Sequence, residues 1–191
     1  EVQRAIDMAN EYPDIVKVVA VGNEAMVKWA ATYYVQPNII LKWVNHLQDL
    51  KREGKLDKNL WITSSDNFAS WGGGEDRYHT EDLTKLIKAV DYVSLHTYPM
   101  HDTHYNPSFW GVDESETQLS KAEQLDKVMQ RSADYAVNQY NQTAAYIKSL
   151  GIDKPIHIGE SGWASLSNGF YGPGGSKAND EYKQGLYHQL M

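Results

Sequence analysis

The chain contains no cysteine and no apolar run near the roughly 18 residues of a membrane-spanning helix. The absence of cysteine excludes disulfide bonds and thiolate metal sites. Basic residues are also in the minority, since 18 Lys and Arg stand against 25 Asp and Glu, and they are scattered. Nucleic acids and anionic lipids are bound by clustered positive charge. The sequence therefore argues against a nucleic acid or a membrane as partner and favours a neutral ligand.

Aromatic residues, in contrast, are abundant, with six Trp and 13 Tyr among the 191 residues. The apolar faces and polar tips of these side chains suit contact with sugar rings, although most aromatic side chains pack in cores. A composition of 41% hydrophobic and 23% charged residues is typical of a globular protein. We therefore expect one domain, over residues 1–191, with a substantial core.

Strand-like and helix-like segments alternate along the chain. After a helix over 1–11, the predicted strands cover 15–22, 60–64, 92–97 and 155–159, and helices follow at 37–53, from 81, at 121–150 and at the chain end. This alternation implies a parallel sheet with right-handed crossovers. Eight such units close a (β/α)8 barrel of about 250 residues. Four units predict an α/β fold that is part of a TIM barrel, with the other strands missing.

Local signals mark the ends of the predicted helices. Pro37 suits the first position of a helix, and Gly54 suits the cap that follows its last turn. Thr80 is a typical N-cap residue, and Ser120 with Glu123 has the spacing of a capping box. Between the elements, long loops are predicted at 66–79, 98–119 and 161–177.

Two glutamates close two of the apolar runs. Glu24 follows Val18 to Asn23, and Glu160 follows Pro155 to Gly159. Parallel strands that are buried on both faces read as continuous apolar runs, and their carboxyl ends meet over one face of a sheet or barrel. A converging pair of carboxylates is the basic requirement for cleavage of a glycosidic bond. The two glutamates are therefore the candidate catalytic residues.

Other polar and aromatic residues follow the same strand ends, whereas the opposite loops, 54–59 and 151–154, are short and polar. In a barrel, this segregation is typical of an active site on the carboxyl-end face. The candidates for binding the substrate are Asn23, Asp66, Trp71, His96, Tyr98 and Trp163.

A structural role is the alternative for each of these residues taken alone. Either glutamate could form an ion pair, and Tyr98 could simply end a strand before Pro99. Trp163 could belong to the core, but a ring beside polar strand ends is poor core material. The other tryptophans are Trp29, Trp43 and Trp61, which are predicted to pack, and Trp110, which is undecided.

His101 and His104 have a spacing that is compatible with metal ligation, but they lie in a loop without the helical, Glu-flanked motif that would fix them. We expect sugar contacts or loop hydrogen bonds from them, and no metal. Two glycine-rich segments, 72–74 and 172–175, lack the Lys-Ser/Thr of a phosphate-binding loop. Flexible loops are the better interpretation of both segments.

Three motifs occur in order, Val21-Gly22-Asn23-Glu24, His96-Thr97-Tyr98-Pro99 and Gly159-Glu160-Ser161-Gly162-Trp163-Ala164-Ser165. Together they resemble glycoside hydrolase family 17, the β-1,3-glucanase-like branch of the clan A retaining glycosidases. The resemblance covers nearly the whole chain, in the order of strands four to seven of that family's barrel. Ser161 stands where Thr is usual and Ala164 where Pro is common, which concerns the subfamily and substrate rather than the chemistry.

The resemblance implies a retaining hydrolase, endo- or exo-acting on β-1,3-glucan, with Glu24 as acid/base and Glu160 as nucleophile. Retaining enzymes hold these carboxyl groups about 5 to 5.5 Å apart. In such a mechanism Asn23 is placed to bind the sugar 2-hydroxyl, Tyr98 to donate its hydroxyl to Glu160, and Trp163 to stack on a sugar ring.

Two alternatives use the same residues, namely a β-1,3-glucan transglycosylase and a non-catalytic carbohydrate-binding relative. The resemblance implies a polysaccharide or oligosaccharide partner and no cofactor, because the two-carboxylate mechanism requires none. The missing barrel strands are expected in a parent protein, secreted or periplasmic given a polymeric substrate. Alone, the 191 residues would expose strand edges, so we expect them to be poorly stable or associated, and inactive.

Overall fold

A computed structural model describes residues 1–103, 106–166 and 181–191 and shows helices alternating with four strands. In chain order the elements are α1 (Val2–Glu11), β1 (Val18–Asn23), α2 (Pro37–Arg52), β2 (Trp61–Asn67), α3 (Glu81–Ala89), β3 (Val93–Thr97), α4 (Pro99–Asp102), α5 (Pro107–Trp110), α6 (Lys121–Ser149), β4 (Ile156–Ser161) and α7 (Glu181–Leu190). Short 3-10 helices cover Asp76–Tyr78 and Glu114–Glu116. Among the described residues, no helix combines the length and apolarity that crossing a bilayer requires.

The strands form one sheet in the order β1-β2-β3-β4. β1 and β2 pair in parallel, with Val18 opposite Trp61, and β2 and β3 pair in parallel, with Asp66 opposite Leu95. The parallel sheet and its alternation with helices confirm the predicted α/β fold. Closure of such units into a TIM barrel stays a prediction.

The predicted helix signals act as expected. The Thr80 hydroxyl accepts a hydrogen bond from the Leu83 N–H at 3.1 Å, which satisfies one of the unpaired donors of the first turn of α3. Ser120 and Glu123 form both bonds of a capping box, with the Ser120 N–H donating to Glu123 Oε2 at 2.9 Å and the Glu123 N–H donating to Ser120 Oγ at 3.3 Å. Gly54, after α2, has φ of +71°.

Several predicted segments differ from the structure. β1 begins at Val18 rather than at residue 15, and β2 continues to Asn67 through polar residues that carry no strand-like apolar pattern. The predicted loop over 98–119 contains α4, α5 and a 3-10 helix. α4 and α5 are each one turn long, too short for a helical period to show in the sequence, and each begins at a proline that presets the helical φ.

By its internal contacts, the chain divides into two compact units, which consist of Glu1–His96 with Asn141–Gly159 and of Thr97–Tyr140 with Glu160–Met191. In the first unit, the buried core includes residues of two helices and two strands. They are Ile40, Val44 and Leu47 of α2, Leu83, Leu86 and Ile87 of α3, Ile62 of β2, and Val93 and Leu95 of β3. In the second unit, one core cluster contains Met100, Trp110, Val128, Met129, Trp163 and Tyr187. Trp110, undecided from the sequence, is therefore a core residue.

The sequence predicts that Trp29, Trp43 and Trp61 pack, but all three are exposed, and of these the Trp61 ring contacts the rings of Tyr92 and His157. Trp43 lies on α2 beside Val44, one position away from the buried stripe of that helix. Trp61 precedes the buried Ile62 on β2, and successive strand residues point to opposite faces of a sheet. Its ring lies 5.3 Å from that of Tyr92, on the face opposite the core.

Candidate active site

The end of β1 is irregular, and this irregularity places Glu24. Between Ala20 and Asn23 the pairing with β2 shifts by one residue, so β1 contains a bulge at the predicted site. Glu24 then adopts a φ of +46°, which non-glycine residues rarely adopt and which costs free energy. Its N–H donates to the Ser65 carbonyl at 2.9 Å, which helps to hold the unusual backbone.

Gly22 allows the strand to approach its neighbours closely at this bulge. A Cβ atom at residue 22 would lie 2.9 Å from Ser64 Oγ and 3.2 Å from both Ala25 Cβ and Ile40 Cδ1. Real Cβ atoms essentially never approach another heavy atom as closely as 2.9 Å. The glycine of the Val-Gly-Asn-Glu motif therefore serves the packing beneath Glu24.

The Glu24 carboxyl group is held by a chain of hydrogen bonds that the sequence does not predict. His96 Nδ1 lies 3.1 Å from Glu24 Oε1, His96 Nε2 lies 2.6 Å from Ser65 Oγ, and Ser65 Oγ lies 2.8 Å from Ser94 Oγ. The His96 side chain is fully buried, whereas the Glu24 side chain is 34% exposed. Whichever ring nitrogen carries the proton, the two bonds fix the plane of the imidazole. His96 therefore orients the glutamate, and the expectation that it contacts the substrate is corrected, because its ring has no surface open to a ligand.

Asp66 is also buried, and its role differs from the expected contact with substrate. Its carboxylate accepts hydrogen bonds from the N–H groups of Met26 at 2.9 Å and Asn67 at 3.0 Å. Burial raises the pKa of Asp66 to about 6, although these two hydrogen bonds favour the ionised form. Since Met26 follows Glu24 by two residues, Asp66 fixes the loop that leaves the candidate catalytic residue.

Trp71, predicted as a platform for sugar, is instead a core residue. Its ring is fully buried, and its Nε1–H donates to the Ser94 carbonyl at 2.9 Å. The neighbouring glycines are packed rather than flexible, which corrects the second expectation for this loop. Gly72 has φ of +92°, and a Cβ there would lie 2.2 Å from Cδ1 of Tyr146. No surface of Trp71 is left for a ligand.

In the second unit, Tyr98 and Glu160 form the hydrogen bond that the sequence predicts. The Tyr98 hydroxyl donates to Glu160 Oε2 at 3.0 Å. The Tyr98 backbone N–H donates to Asp102 Oδ2 at 2.9 Å, and that same carboxylate oxygen accepts from Gln139 Nε2 of α6 at 2.9 Å. Tyr98 is thus anchored at its backbone, and it restricts the rotamers of Glu160 at its hydroxyl.

Trp163 is only 3% exposed, so the expectation of an open stacking face is corrected. Its ring centroid lies 5.8 Å from that of Tyr187 in α7, within the core cluster of the second unit. The Tyr187 hydroxyl is in turn 2.6 Å from Ser161 Oγ. The Gly-Trp that follows Glu160 therefore packs the end of β4 against α7. The sequence alone does not show that α7 covers Trp163, and for this reason it suggests contact with a ligand instead.

The remaining candidates are Asn23 and the histidine pair. Asn23 is exposed at the end of β1, as contact with a ligand requires. His101 lies beside Tyr98, with ring centroids 5.7 Å apart in an edge-on arrangement. His104 and the glycine-rich segment 172–175 lie outside the described residues, so the interpretations of both stay predictions.

Comparison with solved structures finds a close neighbour. A crystal structure of an endo-laminarinase from Formosa Hel1_33_131 is similar to this chain, with 68% sequence identity and a TM-score of 0.95. The similarity covers 100% of this chain and 48% of that chain, so these residues span about half the length of the neighbour. No family model matches the sequence, and neither does any of the curated proteins with which it was compared.

Proposed function

We propose that this chain carries the catalytic carboxylates of a retaining glycoside hydrolase that acts on β-1,3-linked glucan. The single observation that carries the proposal is the 68% identity to an endo-laminarinase over the whole of this chain. Because the chain spans about half of that protein, the activity, the substrate and the mechanism are all parts of the proposal. The family 17 resemblance of the three motifs supports the same reaction class.

In the proposed reaction Glu160 attacks the anomeric carbon of the substrate. A bond forms between a Glu160 carboxylate oxygen and that carbon, while the glycosidic bond breaks and the departing oxygen takes a proton from Glu24. Glu24, now ionised, removes a proton from water, and this water attacks the same carbon and releases Glu160. Two inversions return the original anomeric configuration, and no cofactor takes part.

The local contacts of each carboxyl group support this division of roles. Glu24 is held by its unusual backbone and by His96, which suits a group that must deliver a proton to one fixed oxygen. Glu160 receives a hydrogen bond from Tyr98, which restricts its orientation as a nucleophile must be restricted. Asn23 is exposed next to Glu24 and is the proposed partner of the sugar 2-hydroxyl.

The test is an assay of laminarin hydrolysis with wild type, Glu24→Gln and Glu160→Gln in the full protein. We expect each substitution to lower kcat by at least roughly 10²- to 10⁴-fold, since each removes a group that changes its bonding in the transition state. Glu53→Gln is the matched control, because Glu53 is exposed and forms a local ion pair with Lys55 at 2.7 Å. Equal activity in all four proteins would refute the catalytic assignment.

Azide rescue separates the two roles. In Glu24→Ala, a β-glycosyl azide would identify Glu24 as the acid/base, because azide then replaces water on the covalent intermediate. An α-glycosyl azide would assign the carboxylates the other way round. Products longer than the substrate would indicate the transglycosylase, and binding of laminarin without any product would indicate the non-catalytic relative.

A polymeric substrate of this kind also leads us to propose a secreted or periplasmic location.

A further inference from the structure

The loop between β1 and α2 exposes two large aromatic side chains immediately after the candidate acid/base. Trp29 is 57% exposed and Tyr33 is 56% exposed, although both follow Glu24 by fewer than ten residues. In the same loop Met26 and Val27 are fully buried. The loop therefore has an inward side that anchors it and an outward side that carries aromatic rings.

Hydrogen bonds along the loop fix its backbone on both sides of Trp29. The Met26 N–H donates to Asp66 Oδ2 at 2.9 Å, and the Lys28 N–H donates to the Tyr78 hydroxyl at 2.8 Å. At the far end, the Val35 N–H donates to the Ala25 carbonyl at 2.7 Å, which closes the loop on itself. An exposed tryptophan in so constrained a segment is held outward by the backbone.

The charged group next to Trp29 in the sequence has partners of its own. Lys28 Nζ lies 4.7 Å from the centroid of the Tyr78 ring and donates to the Arg77 carbonyl. Two successive turns follow. In the first the Ala30 N–H donates to the Val27 carbonyl, and in the second the Tyr33 N–H donates to the Ala30 carbonyl. Residues 29 and 33 of these turns are exposed to solvent.

The chemistry of this surface selects a neutral, ring-shaped ligand with apolar faces. A tryptophan left in water retains an apolar area that a stacked ring can cover, and its N–H can bond the edge of the same ligand. Because the loop is already ordered, stacking costs little conformational entropy. The net charge of −7 disfavours an anionic polysaccharide.

We propose that Trp29 and Tyr33 form an additional sugar-binding surface, on which Trp29 stacks against a glucose unit of a neutral β-linked glucan away from the bond that is cleaved. This inference rests on the proposed function for its ligand. Trp29 supplies the main stacking face and Tyr33 a second contact. The surface would increase the affinity for polymeric substrate without taking part in the bond exchange.

The test compares Trp29→Ala, Tyr33→Ala and the double variant with Trp43→Ala in the full protein. Trp43 is the matched control, since it is an exposed tryptophan on α2 and not in the β1–α2 loop. We expect Trp29→Ala to raise KM for laminarin roughly three- to tenfold, with the loss in KM rather than in kcat, and Tyr33→Ala to have a smaller effect in the same direction. Trp29→Phe should recover most of the affinity, because it retains an aromatic face.

Binding without turnover separates this inference from the proposed reaction. In a Glu160→Gln background, retardation of the protein in native gels that contain laminarin measures affinity alone. Weaker retardation with Trp29→Ala than with Trp43→Ala supports the surface even if the wild type hydrolyses nothing. Equal retardation and equal KM for the two variants would overturn the inference while leaving the catalytic proposal intact. A loss confined to kcat, with unchanged retardation, would also overturn it.

Discussion

At the scale of single residues, the orientation of Glu24 depends on a buried histidine. His96 is expected to act as a positioning residue, because its Nδ1 contacts Glu24 Oε1 and its Nε2 contacts Ser65 Oγ. In His96→Ala the carboxyl group loses this contact, and a small misplacement of a catalytic group lowers kcat by roughly ten- to a hundredfold. His96→Asn, which retains a hydrogen-bonding group near the position of Nδ1, should keep more activity than His96→Ala.

Steady-state kinetics on laminarin check this expectation, with KM and kcat determined separately. A positioning role predicts a loss in kcat with little change in KM, whereas a substrate contact predicts the reverse. His46→Ala serves as the control, because His46 is an exposed histidine on α2, outside this hydrogen-bond chain. A rise in KM alone in His96→Ala would contradict the positioning role.

Asp66 gives a pH-dependent contribution to stability whose sign follows from its raised pKa. Its pKa rises from an ordinary value of 3.8 to about 6 because the carboxyl group is buried, so the folded state retains the proton more tightly than the unfolded state. The contribution of Asp66 is therefore fully present below pH 4 and is lost as the pH rises through 6. Asp66→Asn does not titrate, so the stability advantage of wild type over this variant should shrink between pH 4 and pH 7.

Chemical denaturation of both proteins at several pH values measures this difference directly. Other carboxylates cancel in the comparison, since they are the same in both proteins. A stability difference that stays constant or grows as the pH rises would show that the pKa of Asp66 is not raised in the folded protein.

The sequence predicts the Tyr98 hydrogen bond to Glu160, which the structure contains, whereas the catalytic roles of Glu24 and Glu160 stay predictions. It does not show that Asp66, Trp71 and Trp163 are buried. Burial depends on which distant element covers a side chain, and the partners of Trp71 and Trp163 lie 23 and 24 residues away in the chain. Polar and aromatic residues at a strand end are therefore a poor guide to which side chains are open to a ligand.

At the scale of elements, two glycines with positive φ allow the cost of a steric clash to be separated from the cost of the backbone conformation. Gly72 has φ of +92° and would place a Cβ 2.2 Å from the Tyr146 ring, which stacks on His79 at 4.0 Å. Gly54 has φ of +71° and has no atom within 4 Å of such a Cβ. We expect Gly54→Ala to cost about 1–2 kcal/mol of unfolding free energy, from the backbone alone. Gly72→Ala should cost about 1–3 kcal/mol more, because the ring must move.

Urea denaturation of the two variants beside wild type measures both costs. Equal destabilisation would mean that the Tyr146 ring yields freely and that the loop after β2 is loosely packed. A larger effect of Gly72→Ala would instead show that α6, which carries Tyr146, packs tightly on that loop.

The helices and strands were predicted with boundaries close to those observed, because apolar periodicity and capping residues are local properties. The polar end of β2, Ser65 to Asn67, lies outside the predicted strand for the opposite reason. Those residues are in a strand because they pair with β3, with Ser65 opposite Ser94 and Asn67 opposite His96. The residue pattern of one strand does not show which neighbouring strand it pairs with. The helices α4 and α5 are too short to produce a periodic pattern.

At the scale of the whole molecule, the sheet order leaves β1 and β4 as the outer strands. Exposed apolar side chains lie along the sheet, among them Val18, Trp61 and Ile158. Open strand edges beside apolar surface promote pairing between chains. We therefore expect the 191 residues in isolation to associate, and Val18→Lys to reduce the association by placing a charge on an edge strand.

Light scattering coupled to size-exclusion chromatography, at several concentrations, checks this expectation. A monodisperse monomer with a high and cooperative melting transition would contradict it. Thr80→Ala is a suitable control for nonspecific loss of stability, because it removes a helix cap in α3 without altering a strand edge.

Ser65 influences Glu24 twice, since its carbonyl receives the Glu24 amide and its hydroxyl meets the His96 ring. The orientation of the Glu24 carboxyl group therefore depends on a neighbouring strand as well as on the segment that contains Glu24. Transfer of the Val-Gly-Asn-Glu segment into another scaffold would therefore move the glutamate without the contacts that orient its carboxyl group. Conversely, exchange of β2 alone would change that orientation without any change in the sequence that flanks Glu24.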